Sequence, residues 1–218
     1  MRPTSSEAAP RRLLVATRSP HKLRELRDLL DLGQDVELVS PDDLGIEGEP
    51  EETGRTFETN AAIKARYYAT RSHLPTLADD SGLEVDALSG APGVYTRRYS
   101  GPNATDQSNN AKLLRELEAV PPDRRGARYV CVLALALPAQ AGPRGGVRLI
   151  TTRGTCRGRI ATSPKGSQGF GYDPIFEPWS EPPGGRTLGE WSAEAKNAIS
   201  HRARAAARMT PILVGLGF

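Results

Sequence analysis

The sequence predicts an α/β fold made of strand–helix units with an antiparallel pair set among them. Two observations carry this. Short apolar runs alternate with helical stretches through the first half, and two long extended runs, "ARYVCVLALAL" and "GVRLITTRGTCRGRIA", follow one another in the second. At 218 residues, 38% hydrophobic and 25% charged, the chain suffices for one compact domain of ordinary composition.

In chain order, "RLLVAT" (12–17) reads as a short strand. "SPHKLRELRDLLDLG" reads as a helix, with Pro20 in its first turn, Leu23, Leu26, Leu29 and Leu30 at helical spacing, and Gly33 at its end. "VELVS" (36–40) is the next strand, and residues 41–55 form an acidic Gly/Pro loop. Residues 56–74 form a long helix with Phe57, Ala61, Ala65, Tyr68 and Ala69 on one face. "PTLADD" is a strand that runs into a Ser-Gly turn, and "SGLEVDAL" is a second short extended piece. A glycine-rich loop precedes a helix over 105–120 with an N-terminal cap signature. Residues 127–137 form a central strand buried on both faces, and 146–161 a long bent or exposed-edge strand. After "GFGYDP" comes "SAEAKNAIS", then a last helix over 201–214.

Residues 1–12 are polar and basic with no apolar run behind them, which reads as a disordered arm rather than a secretory signal; 13–218 form the domain. No run approaches the ~18 apolar residues of a spanning helix. Cys131 and Cys156 read as core thiols rather than a disulfide or metal pair, which with the missing signal suits the cytoplasm. A net charge of +3 is spread among alternating carboxylates. Without RNP-type aromatics, zinc-finger spacing or a long basic run, nucleic acid is not an expected partner.

Four segments carry polar chemistry. Thr17, Arg18, Ser19, His21 and Lys22 follow a strand and open a helix, where free N–H groups suit a phosphate; a plain capped helix start fits as well. Asp79 and Asp80 are adjacent carboxylates, which raise each other's pKa unless a cation intervenes. With a glutamate from the 47–52 cluster, Asp80 would complete a hard-oxygen site for Mg²⁺. In "GFGYDP", Phe170 would stack on a planar ring while Tyr172 and Asp173 meet its edge; a turn with a core Phe is the alternative. Lys196 and His201 lie about 140° from facing one another on a continuous helix, so a break at Ser200 is expected. His201 and Arg202 would then oppose the macrodipole of the last helix unless an anion binds between them.

These segments, in order "ATRSPHK", "EETGRTFETNAAIKA", "ADDSGLEVDALSGAPGVYTRRYSG", "GFGYDPIF" and "EAKNAISHR", resemble the inosine triphosphate pyrophosphatase family from Leu13 to Leu213. The resemblance implies an elongated mixed sheet in two lobes with a central cleft. It implies Mg²⁺-dependent hydrolysis of ITP, dITP, XTP and dXTP between the α and β phosphates, cleansing the nucleotide pool, and a homodimer. It assigns residues Thr17, Arg18, Ser19, Pro20, His21 and Lys22 to the triphosphate, and Lys64 to a phosphate or catalytic role. Glu52 is assigned to the metal, and Asp80 to the general base and metal neighbour. Ser81 is a substrate contact; Phe170, Gly171, Tyr172 and Asp173 with Lys196, His201 and Arg202 match the nucleoside pocket. The family commonly has Gly-Asn where this chain has Arg18-Ser19, which alters the details of phosphate binding. A related pyrophosphatase of other base preference, a basic nucleic-acid module, and a serine hydrolase without a G-x-S-x-G elbow are the rival readings.

Overall fold

The computed structural model describes residues 10–138 and 146–218. The expected arm lies outside them up to residue 9, while Arg11 and Arg12 belong to the fold rather than to an arm. They open β1 (Arg11–Val15), where Arg11 pairs with Val36 and Arg12 with Glu37, the latter also by an ion pair of 3.2 Å. Alpha1 (Pro20–Leu30) follows, capped by the Ser19 hydroxyl with Pro20 in the first turn. Then come β2 (Val36–Val39), α2 (Phe57–Ser72), β3 (Thr76–Val85), α3 (Asp106–Glu116), β4 (Gly126–Leu137), β5 (Arg148–Ile160), β6 (Phe176–Pro178), α4 (Ala193–Ile199) and α5 (His201–Gly215). The Thr105–Ser108 capping box starts α3, as its sequence signature indicated.

The six strands form one sheet in the order β2-β1-β3-β4-β5-β6. Beta1 is parallel to both its neighbours; β3, β4, β5 and β6 pair antiparallel. Beta4 is central and almost wholly buried, as its continuous apolar run requires.

The expected Ser-Gly turn after Asp80 does not form. Beta3 runs through it, with Ser81 opposite Cys131 and Gly82 opposite Val130. The glycine serves packing: a Cβ on Gly82 would lie 2.7 Å from the Gly93 carbonyl oxygen and 2.9 Å from the Phe57 ring. The supposed second extended piece is the same strand, closed by a 3-10 turn over Asp86–Leu88.

Side chains of β3 alternate between faces, and the core changes along it. Leu77 packs with α1 and α5 side chains such as Leu26 and Met209, and Ala78 with α2 side chains such as Ala61 and Ala65. Leu83 and Val85 belong to a separate core with Leu113, Tyr129 and Phe176. Residues 79–82 belong to none of these cores. The two lobes share β3, β4 and β5, and the polar segment of β3 marks their junction.

Candidate active site

Beta1 accompanies β3 only as far as Leu77. From Gly82 onward the same edge of β3 is covered by the Gly93–Arg98 turn, where Leu83 N donates to Thr96 Oγ1 at 3.0 Å. Asp79, Asp80 and Ser81 therefore lie in a gap in the sheet edge. Leu77 O and Leu83 N both point to this edge, so by alternation the backbone groups of Asp79 and Ser81 do too.

The adjacent aspartates do not confront each other, because consecutive strand residues project to opposite faces. Asp79 faces α1 and α5. Its carboxylate meets Lys22 Nζ at 3.0 Å and an Arg202 guanidinium nitrogen at 3.4 Å, with Ser81 Oγ at 3.5 Å. Burial pushes its pKa up, but Lys22, Arg202 and Lys64 outweigh burial and hold it well below the ordinary carboxylate range. Arg202 is buried, donates to Glu25 at 2.6 Å and to Ser81 Oγ at 3.3 Å, and leaves its Nε without a partner.

Asp80 faces α2. Its Oδ1 lies 3.6 Å from Lys64 Nζ, which also meets Glu52 at 3.2 Å. Its buried Oδ2 has no hydrogen-bond partner. Burial is the main reason its pKa rises to about 6; Lys64 opposes the rise, and Glu52 and then Asp79 add to it. Adjacency in the chain suggests that Asp79 raises it, but the opposite projection of the two side chains makes that contribution a minor one. Burial disfavours the Lys64 ammonium, but Asp79, Asp80 and Glu52 raise its pKa on balance and keep it charged.

The break at Ser200 forms as expected: Ser200 closes α4 and caps α5 by accepting from Ala203 N at 3.0 Å. The three basic groups there do not stand uncompensated, however. Arg202 is held by Glu25 and Asp79, and Lys196 by Asp173 at 2.5 Å. His201 stacks on Tyr129, ring centroids 4.9 Å apart and 10° from parallel, and burial followed by the Arg202 and Lys196 charges keeps it neutral.

In the 169–173 loop, Phe170 is 52% exposed, with Lys196 Nζ 4.4 Å from its ring centroid. Asp173 is fully engaged rather than free for a ligand's edge. It accepts from Phe170 N at 2.9 Å, from Lys196, and from Tyr129 Oη at 3.2 Å. Tyr172 is likewise structural, buried and donating to the Thr96 carbonyl at 2.9 Å. Gly171 takes a positive φ of 63°, which favours glycine.

The first loop is built as a cap. Thr17 Oγ1 accepts from Ser19 N, Ser19 Oγ accepts from Lys22 N, and His21 lies in the first turn of α1. Arg18 turns away from it to the acidic loop. Cys131 and Cys156 are free and buried, and burial pushes the Cys131 thiol up to about 12, as core thiols require.

Sequence reasoning missed the supports of the site. Asn60, buried one turn before Lys64, accepts from Gly54 N at 2.8 Å. Asp106 and Asn110 hold the two sides of Gly171, one accepting from its N–H at 2.7 Å and the other donating to its carbonyl at 3.0 Å. Their i, i+4 spacing, like that of Asn60 and Lys64, was a readable signal of a shared helix face.

Residues 13–212 match the model of the Ham1 family. The chain is 52% identical over 196 residues to a dITP/XTP pyrophosphatase of Geobacter sulfurreducens, covering 90% of this chain and 93% of that one. It superposes on a HAM1 protein from Coxiella burnetii with a TM-score of 0.82 at 38% identity, covering 94% and 99% of the two chains. A nucleoside-triphosphatase / dITP/XTP pyrophosphatase from Mycobacterium abscessus gives a TM-score of 0.73 at 46% identity over 92% and 99%.

Proposed function

Because this chain belongs to the Ham1 family, we propose that it is a nucleoside-triphosphate pyrophosphatase acting on purine nucleotides. It hydrolyses ITP, dITP, XTP and dXTP to the monophosphate and pyrophosphate. The family match and the relatives' shared name support the activity. The state of Asp80 carries the mechanism: a buried carboxylate with one unsatisfied oxygen and a pKa of about 6, beside a charged lysine.

An acceptor held near neutral pKa is suited to take a proton from water. In this reading Asp80 orients the attacking water and accepts its proton, while Lys64 and Lys22 offset phosphate charge. Thr17, Ser19 and the first turn of α1 receive the triphosphate at the positive end of that helix. Glu52 and Asp80 also fit Mg²⁺. They are hard oxygen donors, Asp80 Oδ2 lacks a partner, and no third metal-ligating side chain joins them among the described residues. Two carboxylates with water and substrate phosphates are what Mg²⁺ commonly accepts. Bound there, it would supply charge neutralisation. The base stacks on Phe170. The first N–H groups of α5, at His201 and Arg202, lack carbonyl partners within the helix and suit the C6 carbonyl of hypoxanthine or xanthine. A homodimer, supported by the family resemblance, belongs to the same reading. Among the described residues no helix is long and apolar enough to cross a membrane.

The test is pyrophosphate release from ITP, XTP, GTP and ATP with Mg²⁺, for the native chain and Asp80→Asn. Turnover of ITP and XTP well above GTP and ATP is expected, falling by about 10²–10⁴-fold in the variant. No turnover, or an unimpaired variant, overturns the reading.

A further inference from the structure

We propose that Arg18 is a positioning residue that straps the acidic loop over residues 41–55 to the first loop, and so sets the reach of Glu52 toward Lys64 and Asp80. The loop contains no helix or strand, so its shape depends on individual tethers. Turn hydrogen bonds from Leu44 N and Ile46 N to the Pro41 carbonyl, and a Ser40–Asp43 cluster, shape its near end, and Arg18 ties that end to the first loop. Its guanidinium donates to the Ile46 carbonyl at 2.6 Å and the Gly48 carbonyl at 3.1 Å, and it pairs with Asp42 and with Glu49 at 3.3 Å. The Gly48 carbonyl accepts from Tyr68 Oη of α2 as well, at 3.3 Å. At the far end Asn60 holds Gly54. Glu52 lies between the two anchors, its carboxylate 3.2 Å from Lys64.

This geometry engages every guanidinium nitrogen of Arg18 on the acidic loop and leaves none directed at a triphosphate. It also explains how an arginine fits where the family commonly has a glycine, since the added charge meets four loop carbonyl and carboxylate groups rather than the phosphates. Only the fork of an arginine can bind two carbonyls and two carboxylates at once; a lysine ammonium cannot span them. The metal part of the proposal rests on the function proposed above, while the strap itself does not.

Two measurements separate them. Hydrogen exchange of residues 42–52 in the metal-free protein reads the strap directly, for the native chain, Arg18→Gln, Arg18→Lys and Asp42→Asn. Faster exchange in all three variants is expected, least in Asp42→Asn, which alters one of the four partners; unchanged exchange overturns the strap. Half-saturation by Mg²⁺ and KM for ITP are then measured on the same proteins. The Mg²⁺ requirement should rise about tenfold in Arg18→Gln, and in the same direction in Asp42→Asn, as for a residue that orients a metal ligand. KM for ITP at saturating Mg²⁺ should change less than about twofold. A steep rise in KM for ITP in Arg18→Gln alone, with Mg²⁺ dependence intact, would make Arg18 a phosphate ligand and overturn the proposal. If the native chain turns over no nucleotide, the pyrophosphatase reading fails while exchange still decides the strap.

Discussion

Burial raises the pKa of both Asp79 and Asp80, and what separates them is the cations each one meets. Asp79 has Lys22 and Arg202 in direct contact, whereas Asp80 has Lys64 alone and shares it with Glu52. The consequences for stability have opposite signs. Asp79 is depressed, so its contribution is present above the ordinary value of 3.8 and is lost as pH falls below it. Asp80 is raised to about 6, so the folded state holds the proton more tightly. Its favourable contribution is full below 3.8 and is lost as pH rises through about 6. In EDTA at pH 7.5, Asp80→Asn should therefore stabilise the chain, by on the order of 2 kcal/mol, with the gain shrinking toward pH 5. Asp79→Asn should destabilise it by about 3–5 kcal/mol, because it strands Lys22 and the buried Arg202. Urea titrations at the two pH values check both, and equal signs would refute this account of the pair. The sequence pointed to these two residues but not to their opposition. Adjacency in the chain suggested a repelling pair, and only the strand's continuation through Ser81-Gly82 shows that they part to opposite faces.

At the scale of elements, α5 reaches the site because a glycine on the neighbouring strand lets it approach. A Cβ on Gly154 of β5 would lie 2.1 Å from the His201 carbonyl oxygen and 2.4 Å from Ala205 N. Both atoms are helix backbone, so no side-chain rotation relieves the clash. Gly154→Ala should push the N-terminal turn of α5 off the sheet and cost about 3 kcal/mol. It should also raise KM for ITP, since His201 and Arg202 ride on that turn; an unchanged KM would show that their placement does not depend on it. Most elements were readable from periodicity and caps: Pro20 and Ser19 for α1, Thr105 and Ser108 for α3, and Ser200 for the break before α5. What could not be read were glycines that act by close approach. Gly82 and Gly154 have no positive φ, so nothing local distinguishes them from turn glycines, and the residues that crowd them are distant in sequence.

Across the whole molecule, β3, β4 and β5 each contribute side chains to more than one core. Beta4 places Leu133 and Leu135 with α1 and α5, Val130 and Val132 with α2, and Tyr129 in the far lobe. A lobe cannot lose its core without breaking the ladders of strands that the other needs, so the two should unfold together. The chain supplies its own probes. Its two tryptophans, Trp179 and Trp191, both lie with the far lobe, Trp191 packed against its core, while the long helices α1, α2 and α5 pack in the near lobe. Tryptophan fluorescence therefore reports the far lobe and far-ultraviolet circular dichroism chiefly the near one. Thermal melts followed by the two signals should share one midpoint; midpoints several degrees apart would show that the shared strands do not couple the lobes. The site lies where residues 79–82 interrupt both cores, and its geometry depends on that coupling. Lys64 and Lys22 come from the near lobe, Asp173 and Phe170 from the far one. A substrate that spans them should raise the common midpoint without splitting it.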